Sequence, residues 1–313
     1  MQEPAAADLR WLPQVLQTAS AIRRRVLEHT LRNNGGYLSQ ACSSAETLAT
    51  LYLRVIKFGP STAAPVPPPF SGVPKVGSSR YTGAFYNGRH SPHLDRLYVS
   101  AVHYALPVYA TLIEVGRMAA EGLTQFNQDG STVEMIGAEH SPGHEVTGGS
   151  LGQTLSQAGG IALARRLRGE TGRNWVFMSD GEFQSGQTWE AIQALSFYGL
   201  DRIGIYVDVN GQQCDGKMSD VMNIEPLRTR LEAFGARVFA VDGHDPVQLS
   251  GPAELDPDGR PLVVLAYTNP CQGIPLLERR RPKLHYVRFK DESERAEYED
   301  FLQEISREDG EDA

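Results

Sequence analysis

Cysteine is scarce in this sequence of 313 residues, which contains only Cys42, Cys214 and Cys271. Their number is odd, they lie far apart, and their spacing is not that of a metal site. A small secreted domain held together by disulfides and a cysteine-rich zinc site are therefore excluded. We expect three reduced thiols.

Long apolar runs and an excess of positive charge are also absent. No apolar stretch approaches the roughly 18 residues needed to cross a bilayer, and residues 1–10 lack a basic region followed by an apolar one. The 38 Asp and Glu residues outnumber the 30 Lys and Arg residues, which gives a net charge of −8. We therefore expect no nucleic-acid partner and no membrane partner, and we predict a cytoplasmic protein.

The hydrophobic residues that are present, 41% of the chain, suffice for a large core. Apolar residues recur every three or four positions over residues 9–30, which predicts an amphipathic helix. Further helices are predicted at residues 43–57, 102–121, 152–168, 187–198, 224–234 and 292–305, and apolar strands at residues 175–178, 203–208, 237–241 and 262–267. This alternation predicts an α/β fold with a three-layer, doubly wound, mainly parallel sheet.

One segment has a strongly biased composition, with six prolines between residues 60 and 74. Because proline cannot join a sheet interior or continue a helix, we predict an extended surface loop at about residues 60–80. A solvated loop without a binding partner is favoured over a docking segment. We divide the chain into an α/β domain, residues 1–260, and a last strand with a carboxyl-terminal arm and helix, residues 261–313.

Polar side chains follow two of the predicted strands where each strand ends. Asp180 and Gly181 follow one strand, and Asn210 and Gly211 follow the next. Ligands bind at the carboxyl edge of such a sheet, and Mg²⁺ takes a few oxygen ligands from the protein and the rest from water and phosphate. We therefore predict a divalent cation at Asp180 and Asn210.

Glycines before the helix predicted at residues 152–168 suggest a second contact at the same edge. Gly148, Gly149 and Gly152 would let phosphate approach the backbone at a helix amino terminus. A plain helix cap is the alternative interpretation of these glycines.

The combination of these features resembles the thiamine diphosphate motif, with Ser179 in place of the first glycine of that motif. Among the proteins with this motif, the sequence resembles the transketolases most specifically. Within the transketolases, it resembles the amino-terminal subunits of split, two-component enzymes. The resemblance extends from about residue 22 to residue 285. The segments that carry it are 149–153, 181–191, 213–216 and 242–245.

The resemblance implies the pyrophosphate-binding domain of the thiamine diphosphate-binding fold, with thiamine diphosphate and Mg²⁺ as cofactors. It implies that Asp180, Asn210 and the backbone carbonyl of Gln212 hold the metal. The implied cofactor-binding residues are Gly149, Leu151, Gly181, Glu182, His103 and Asn210. The implied catalytic residues are His103, His285 and Glu190.

The histidines differ in how well they match the family. His103 matches a histidine that contacts the cofactor, although a buried structural histidine is the alternative. His285 resembles one that reaches the substrate from the carboxyl-terminal segment. His140 lies near a third active-site histidine of the family. His140 and His144 have the helical spacing of a metal pair, but Pro142 and Gly143 between them argue against a helix.

Three departures from the family bear on the substrate. Tyr37 stands where the family has a histidine that contacts the donor. Ser185 replaces a glutamate at the subunit interface, whereas Glu190 is retained. The segment 268–273 lacks lysines that the family carries. Together these departures predict a substrate other than the ordinary sugar phosphates.

The resemblance also implies that half of the active enzyme, the pyrimidine-binding domain, lies outside this sequence. A complete transketolase is about twice this length, and its pyrimidine-binding domain supplies the glutamate that activates the cofactor. We therefore expect a separate pyrimidine-binding subunit in an α2β2 heterotetramer. The implied reaction transfers a two-carbon ketol unit from a ketose donor to an acceptor. Two alternatives stay open: an alpha-type subunit of a thiamine-dependent 2-oxoacid decarboxylase or dehydrogenase, and a non-catalytic scaffold subunit.

Overall fold

The computed structural model describes residues 9–72 and 82–311. Its strands are β1 (Arg96–Val99), β2 (Asn174–Ser179), β3 (Ile203–Val209), β4 (Gln212–Gln213), β5 (Gly216–Lys217), β6 (Arg237–Asp242) and β7 (Leu262–Tyr267). Five of them form one parallel sheet in the order β1-β2-β3-β7-β6, and β4 and β5 form a small antiparallel hairpin. The predicted parallel α/β sheet is confirmed.

Helices cover both faces of this sheet. They are α1 (Leu12–Asn33), α2 (Leu38–Thr50), α3 (Ala105–Glu114), α4 (Gln153–Leu167), α5 (Gly186–Phe197), α6 (Met218–Val221), α7 (Leu227–Ala233), α8 (Pro246–Ser250) and α9 (Glu292–Glu311). Short 3₁₀ turns lie at Gly83–Asn87, Val102–Tyr104, Ala120–Gln125, Asp180–Gln184, Gly251–Glu254 and Pro275–Arg280, and a π turn at Leu51–Val55 extends α2. Over residues 9–72 and 82–311, no helix combines the length and apolarity required to span a membrane.

The three layers follow from the alternation of side chains along the buried strands. Phe177 and Tyr206 point into a core shared with α1, α2 and α3. Their neighbours Val176 and Ile205 point into a second core shared with α4, α5 and α7. Because both faces are buried, the strands are continuous apolar runs, which is the pattern of a parallel sheet.

Several predicted boundaries are wrong. The sequence pattern missed β1, which is only four residues long and follows a polar loop. The helix predicted over residues 102–121 ends at Glu114, because Gly116 has a φ of +71° that few other residues adopt. α2 begins at Leu38, earlier than predicted, and α9 continues to Glu311.

The carboxyl-terminal segment completes the main core. β7 lies between β3 and β6 in the sheet. Leu277 and Leu284 of the following arm belong to the same hydrophobic cluster as α1. The division after residue 260 stays a prediction about chain organisation, and the core continues across that point.

The proline-rich segment is docked on the protein, at least over residues 60–72. Ala119 N–H donates to the carbonyl of Pro65 at 2.8 Å, Thr132 Oγ1 donates to that of Pro68 at 2.9 Å, and Phe70 N–H donates to that of Gly130 at 2.8 Å. The described part of the loop, residues 60–72, has no helix or strand, and its proline carbonyls accept hydrogen bonds from the chain's own surface. The absence of a separate binding partner stays a prediction. The rest of the predicted loop, residues 73–80, lies outside the described residues.

Candidate active site

A cleft of about 320 Å³ opens at the carboxyl edge of the sheet. Its walls come from the ends of β2 and β3, the loop before α4, the start of α2, the β4–β5 hairpin and the carboxyl-terminal arm. Most of the residues singled out from the sequence line it: His103, Gly149, Leu151, Asp180, Gly181, Asn210, Gln212 and His285. Glu182 and Glu190 are not among its lining residues.

The two predicted metal ligands lie at neighbouring strand tips. Ser179 pairs with Asp208 in the register of β2 and β3, so Asp180 and Asn210 emerge side by side. The N–H of Gly211 donates to Asp180 Oδ2 at 2.9 Å, which ties one tip to the other. Gly211 has a φ of +65°, so the tight turn after Asn210 suits glycine.

The two carboxyl groups at these tips are buried and, within the described part of the chain, have no cationic side chain among the groups that shift their pKa. Asp180 is buried, and burial followed by the nearby Asp208 carboxylate raises the pKa of Asp180 to about 8. Burial also raises the pKa of Asp208. Two buried carboxylates without a cationic side chain are costly, and a bound cation would offset that cost.

The oxygens at the tips suit a hard divalent cation. Asn210 Oδ1 accepts the N–H of Gln212 at 2.9 Å and keeps a second lone pair. Gln212 Oε1 is buried and has no hydrogen-bond partner among the described residues. With the Asp180 carboxylate, these groups form an all-oxygen donor set of the kind that Mg²⁺ prefers.

The loop before α4 presents backbone to the cleft. A side-chain carbon added at Gly149 would meet no atom within 4 Å, so the backbone there faces open space. Glu182 supports this loop from beneath, because its carboxylate accepts the N–H of Gly152 at 3.0 Å and that of Ser179 at 2.9 Å. Glu182 is fully buried. Its side chain therefore holds the loop and the strand tip together, and the predicted cofactor contact of that side chain is not what this geometry favours.

Two histidines face each other across the cleft. The ring centroids of His103 and His285 are 5.2 Å apart, and the ring of Tyr37 lies 5.9 Å and 5.6 Å from them. Burial, and to a lesser extent His285, lowers the pKa of His103 to about 3, and burial lowers the pKa of His285. Both rings are therefore neutral at pH 7 and can each donate one hydrogen bond and accept another.

His285 reaches the cleft because the arm pairs with the loop before α2. Gly36 and Val287 exchange backbone hydrogen bonds of 3.1 Å and 2.9 Å. Ser39 Oγ donates to the carbonyl of Leu284 at 2.7 Å, and Gln40 Nε2 donates to that of His285 at 2.9 Å. These contacts fix the imidazole at the rim of the cleft.

Three other residues from the sequence prediction lie elsewhere. Glu190 is exposed on α5 and lines a separate apolar groove of about 220 Å³ between α4 and α5. His140 pairs with Glu134 at 3.1 Å, away from the cleft lining. His144 is buried in the core beside Pro142, and the segment is not helical, as expected.

Sequence reasoning missed several cleft residues. Gln40, Gln184 and Cys214 line the cleft but were not singled out as site residues. Gln184 and Cys214 lie in the segments 181–191 and 213–216 that carry the resemblance, whereas nothing in the local pattern marks Gln40. Asp208, behind Asn210, had a signal: it is a carboxylate inside the otherwise apolar run of β3, where an unpaired charge is costly.

Comparison with known proteins identifies the family. The sequence profile described as transketolase, thiamine diphosphate binding domain, matches residues 86–268, a range that contains Asp180 and Asn210. The chain belongs to the transketolase family. It is therefore a thiamine diphosphate-dependent transferase of the transketolase type.

Relatives resemble the chain over most of its length. A transketolase family protein of Sinorhizobium fredii is 34% identical over 275 residues, which are 85% of this chain and 89% of the relative. One of the subunits of the apulose-4-phosphate transketolase of Actinobacillus succinogenes is 30% identical over 281 residues, which are 89% of this chain and 92% of the relative.

Among solved structures, the fold matches transketolase from Campylobacter jejuni with a TM-score of 0.71 over 96% of this chain, at 19% identity. This likeness shows the fold. The chain spans about half of that structure, 48%.

Proposed function

We propose that this chain is the cofactor-binding subunit of a two-component transketolase that transfers a two-carbon ketol unit from a ketose donor to an acceptor. The observation that carries the proposal is the pair of adjacent strand tips that presents Asp180 and Asn210 to one cleft. The relative from Actinobacillus succinogenes, named as one subunit of its transketolase and covered over 92% of its length, supports the two-component assignment.

In this proposal Asp180, Asn210 and the backbone carbonyl of Gln212 would hold Mg²⁺, and the unpartnered Gln212 Oε1 offers a further oxygen. The ion would neutralise the diphosphate of the cofactor. Gly149 and Gly181, whose backbone borders open space in the cleft, would hold the diphosphate. When bound, thiamine diphosphate supplies the carbon nucleophile and the electron sink for cleavage of the donor's carbon–carbon bond.

The chain's own groups bind, orient and move protons. His103 lines the cleft beside His285 and Tyr37, and as a neutral imidazole it is suited to donate a hydrogen bond. His285 is the proton-transfer group in this scheme, because it is neutral and the arm holds it at the rim. Leu151, also in the cleft lining, would pack against the cofactor and exclude water.

The groove between α4 and α5 is the proposed seat of the pyrimidine-binding subunit in an α2β2 assembly. Leu167 and Phe197 on its flanks are 78% and 81% exposed, which is unusual for large apolar side chains. Leu151 in the cleft lies two residues before α4, and Leu155 in the groove lies in the first turn of α4. A subunit that completes the cleft would therefore cover the groove as well, with Glu190 at that interface.

The substrate is proposed to differ from the ordinary sugar phosphates. Tyr37 packs against His103 and His285 and so borders the place where a donor would lie. A phenol, whose pKa is raised here by burial, can hydrogen-bond to a hydroxyl group but does not exchange protons near neutral pH.

The test is reconstitution. The chain is co-expressed with a pyrimidine-binding partner, supplied with Mg²⁺ and thiamine diphosphate, and assayed for ketol transfer from a series of ketoses. Asp180→Ala and Asn210→Ala are expected to abolish both cofactor binding and transfer. Turnover of pyruvate in place of a ketose would favour a 2-oxoacid enzyme, and absence of cofactor binding with the partner present would favour a scaffold.

A further inference from the structure

A buried carboxylate lies behind the proposed metal ligand Asn210. Asp208 precedes it by two residues in β3, is fully buried and does not line the cleft. Asp208 Oδ2 accepts from Ser43 Oγ at 2.5 Å, Tyr104 OH at 2.7 Å and Asn210 Nδ2 at 3.1 Å. Asp208 Oδ1 accepts from Thr268 Oγ1 at 2.5 Å. Both oxygens are therefore occupied within the protein, and Asp208 is not itself placed to bind a cation.

The contact with Asp208 decides which end of the Asn210 amide faces the cleft. An amide has a donor end and an acceptor end, and only its oxygen can bind a metal ion. Here Nδ2 donates to Asp208 and lies 3.1 Å from Tyr104 OH, while Oδ1 accepts the N–H of Gln212 at 2.9 Å. A flipped amide would place its oxygen against a carboxylate and its NH₂ group against an N–H donor. Both ends would then be mispaired.

We infer that Asp208 is a positioning residue, which presents the Asn210 oxygen to the divalent cation without touching that ion. This inference rests on the proposed function, since it assumes that Asn210 is a metal ligand. Partners behind the ligands of a metal site commonly change metal affinity by about 10- to 100-fold when they are altered. Asp208 is buried, rigidly held by four donors, and joined to Asn210 within the same strand end, so it meets the conditions for that role.

Exchanging the carboxylate at position 208 with the amide at position 210 distinguishes a positioning role from a merely structural one. If Asp208 had no influence, Asn210→Asp would strengthen cation binding, because a carboxylate is the better ligand for Mg²⁺. In this structure the new carboxylate would instead lie against Asp208 Oδ2, where an NH₂ group now donates at 3.1 Å. We expect Asn210→Asp to bind the cation about 10- to 100-fold more weakly.

The double variant Asp208→Asn/Asn210→Asp restores a donor at one position and an acceptor at the other. The amide at position 208 can donate to the carboxylate at position 210, whose other oxygen still accepts the N–H of Gln212. We therefore expect the double variant to recover most of the lost affinity. Thr268→Val is the matched control, because it removes a donor from the far oxygen of Asp208 and leaves the contact with Asn210 in place.

The experiment measures two properties of the full chain and its variants. Binding of Mn²⁺ together with thiamine diphosphate is titrated by calorimetry, with a pyrimidine-binding partner present, and thermal unfolding is followed without cofactor. We expect the affinity for the cation to fall in Asn210→Asp, to recover in the double variant, and to change threefold or less in Thr268→Val. We expect the unfolding temperature to fall in Asn210→Asp and to recover in the double variant.

Equal or tighter binding by Asn210→Asp, or failure of the double variant to recover, would overturn the inference. Failure of the proposed function has a different signature, because the unaltered chain would then bind neither Mn²⁺ nor cofactor. In that case, the unfolding temperatures still test the contact between Asp208 and Asn210: a double variant that does not recover the unfolding temperature lost in Asn210→Asp contradicts the pairing described here.

Discussion

The buried imidazole of His144 gives this chain a predicted loss of stability in mild acid. Burial lowers the pKa of His144 from 6.5 to about 4. In the unfolded chain the ring takes up a proton at about pH 6.5, whereas in the folded chain it stays neutral down to about pH 4. The unfolded state therefore binds more protons in this window, and the free energy of unfolding falls as the pH is lowered.

The magnitude follows from the shift of the pKa. At about 1.4 kcal/mol for each pH unit, the contribution of His144 between pH 6.5 and pH 4 is about 3 kcal/mol. Replacing the ring by an apolar side chain, His144→Leu, removes this contribution. Between pH 6.5 and pH 4, the free energy of unfolding of the variant should therefore fall by about 3 kcal/mol less than that of the unaltered chain. Other titrating groups contribute equally to both proteins.

Urea unfolding at pH 7, 6, 5 and 4 measures the difference. His93→Leu is the control, because His93 is exposed, and its pH profile should follow that of the unaltered chain. If His144→Leu and the unaltered chain lose stability in parallel from pH 7 to pH 4, the description of His144 as a neutral core residue is wrong.

Three further predictions concern the cleft and its surroundings. Bound Mg²⁺ and thiamine diphosphate should slow alkylation of Cys214, which is exposed on the cleft wall, while the buried Cys42 and Cys271 stay unreactive throughout. Mass spectrometry of iodoacetamide adducts measures the labelling, and unchanged labelling of Cys214 would count against the site. Tyr37→His should raise kcat/KM for an ordinary ketose phosphate about tenfold by restoring a proton-exchanging group, and an unchanged donor preference would refute that role. Phe197→Ser should weaken binding of the pyrimidine-binding partner about tenfold or more in sedimentation or calorimetry, and unaltered association would exclude the groove as the interface.

Much of the fold could be predicted from local patterns. Buried parallel strands are uninterrupted apolar runs, so β2, β3 and β7 were visible in the sequence. The edge strand β6 is only partly buried, but its residues are also mostly apolar and predicted a strand. β1 was not, because four residues after a polar loop carry too little periodicity. Docking of the proline-rich segment depends on hydrogen bonds with residues 119–132, which are distant in sequence. No local propensity contains that information.

Some features of the candidate site could likewise be predicted from the sequence, and others could not. The adjacency of Asp180 and Asn210 could be predicted, because parallel strands place their carboxyl ends at one edge. The direction of a side chain within a turn could not, and Glu182 consequently points beneath the cleft toward Gly152 and Ser179. The position of His285 in the cleft depends on pairing between two segments that are far apart in sequence. The family resemblance suggested this position, whereas apolar periodicity could not.

Binding of thiamine diphosphate to Asp180→Asn, measured by calorimetry with Mg²⁺ and the pyrimidine-binding partner present, tests the central claim most directly. This substitution removes one buried carboxyl group at nearly constant volume, and Asp256→Asn, which makes the same change at an exposed position outside both the cleft and the groove, is the matched control. We predict Mg²⁺-dependent binding by the unaltered chain and the control, and about 100-fold weaker binding by Asp180→Asn without a lower unfolding temperature. Equal affinity in all three proteins would contradict a metal-bound diphosphate at these strand tips.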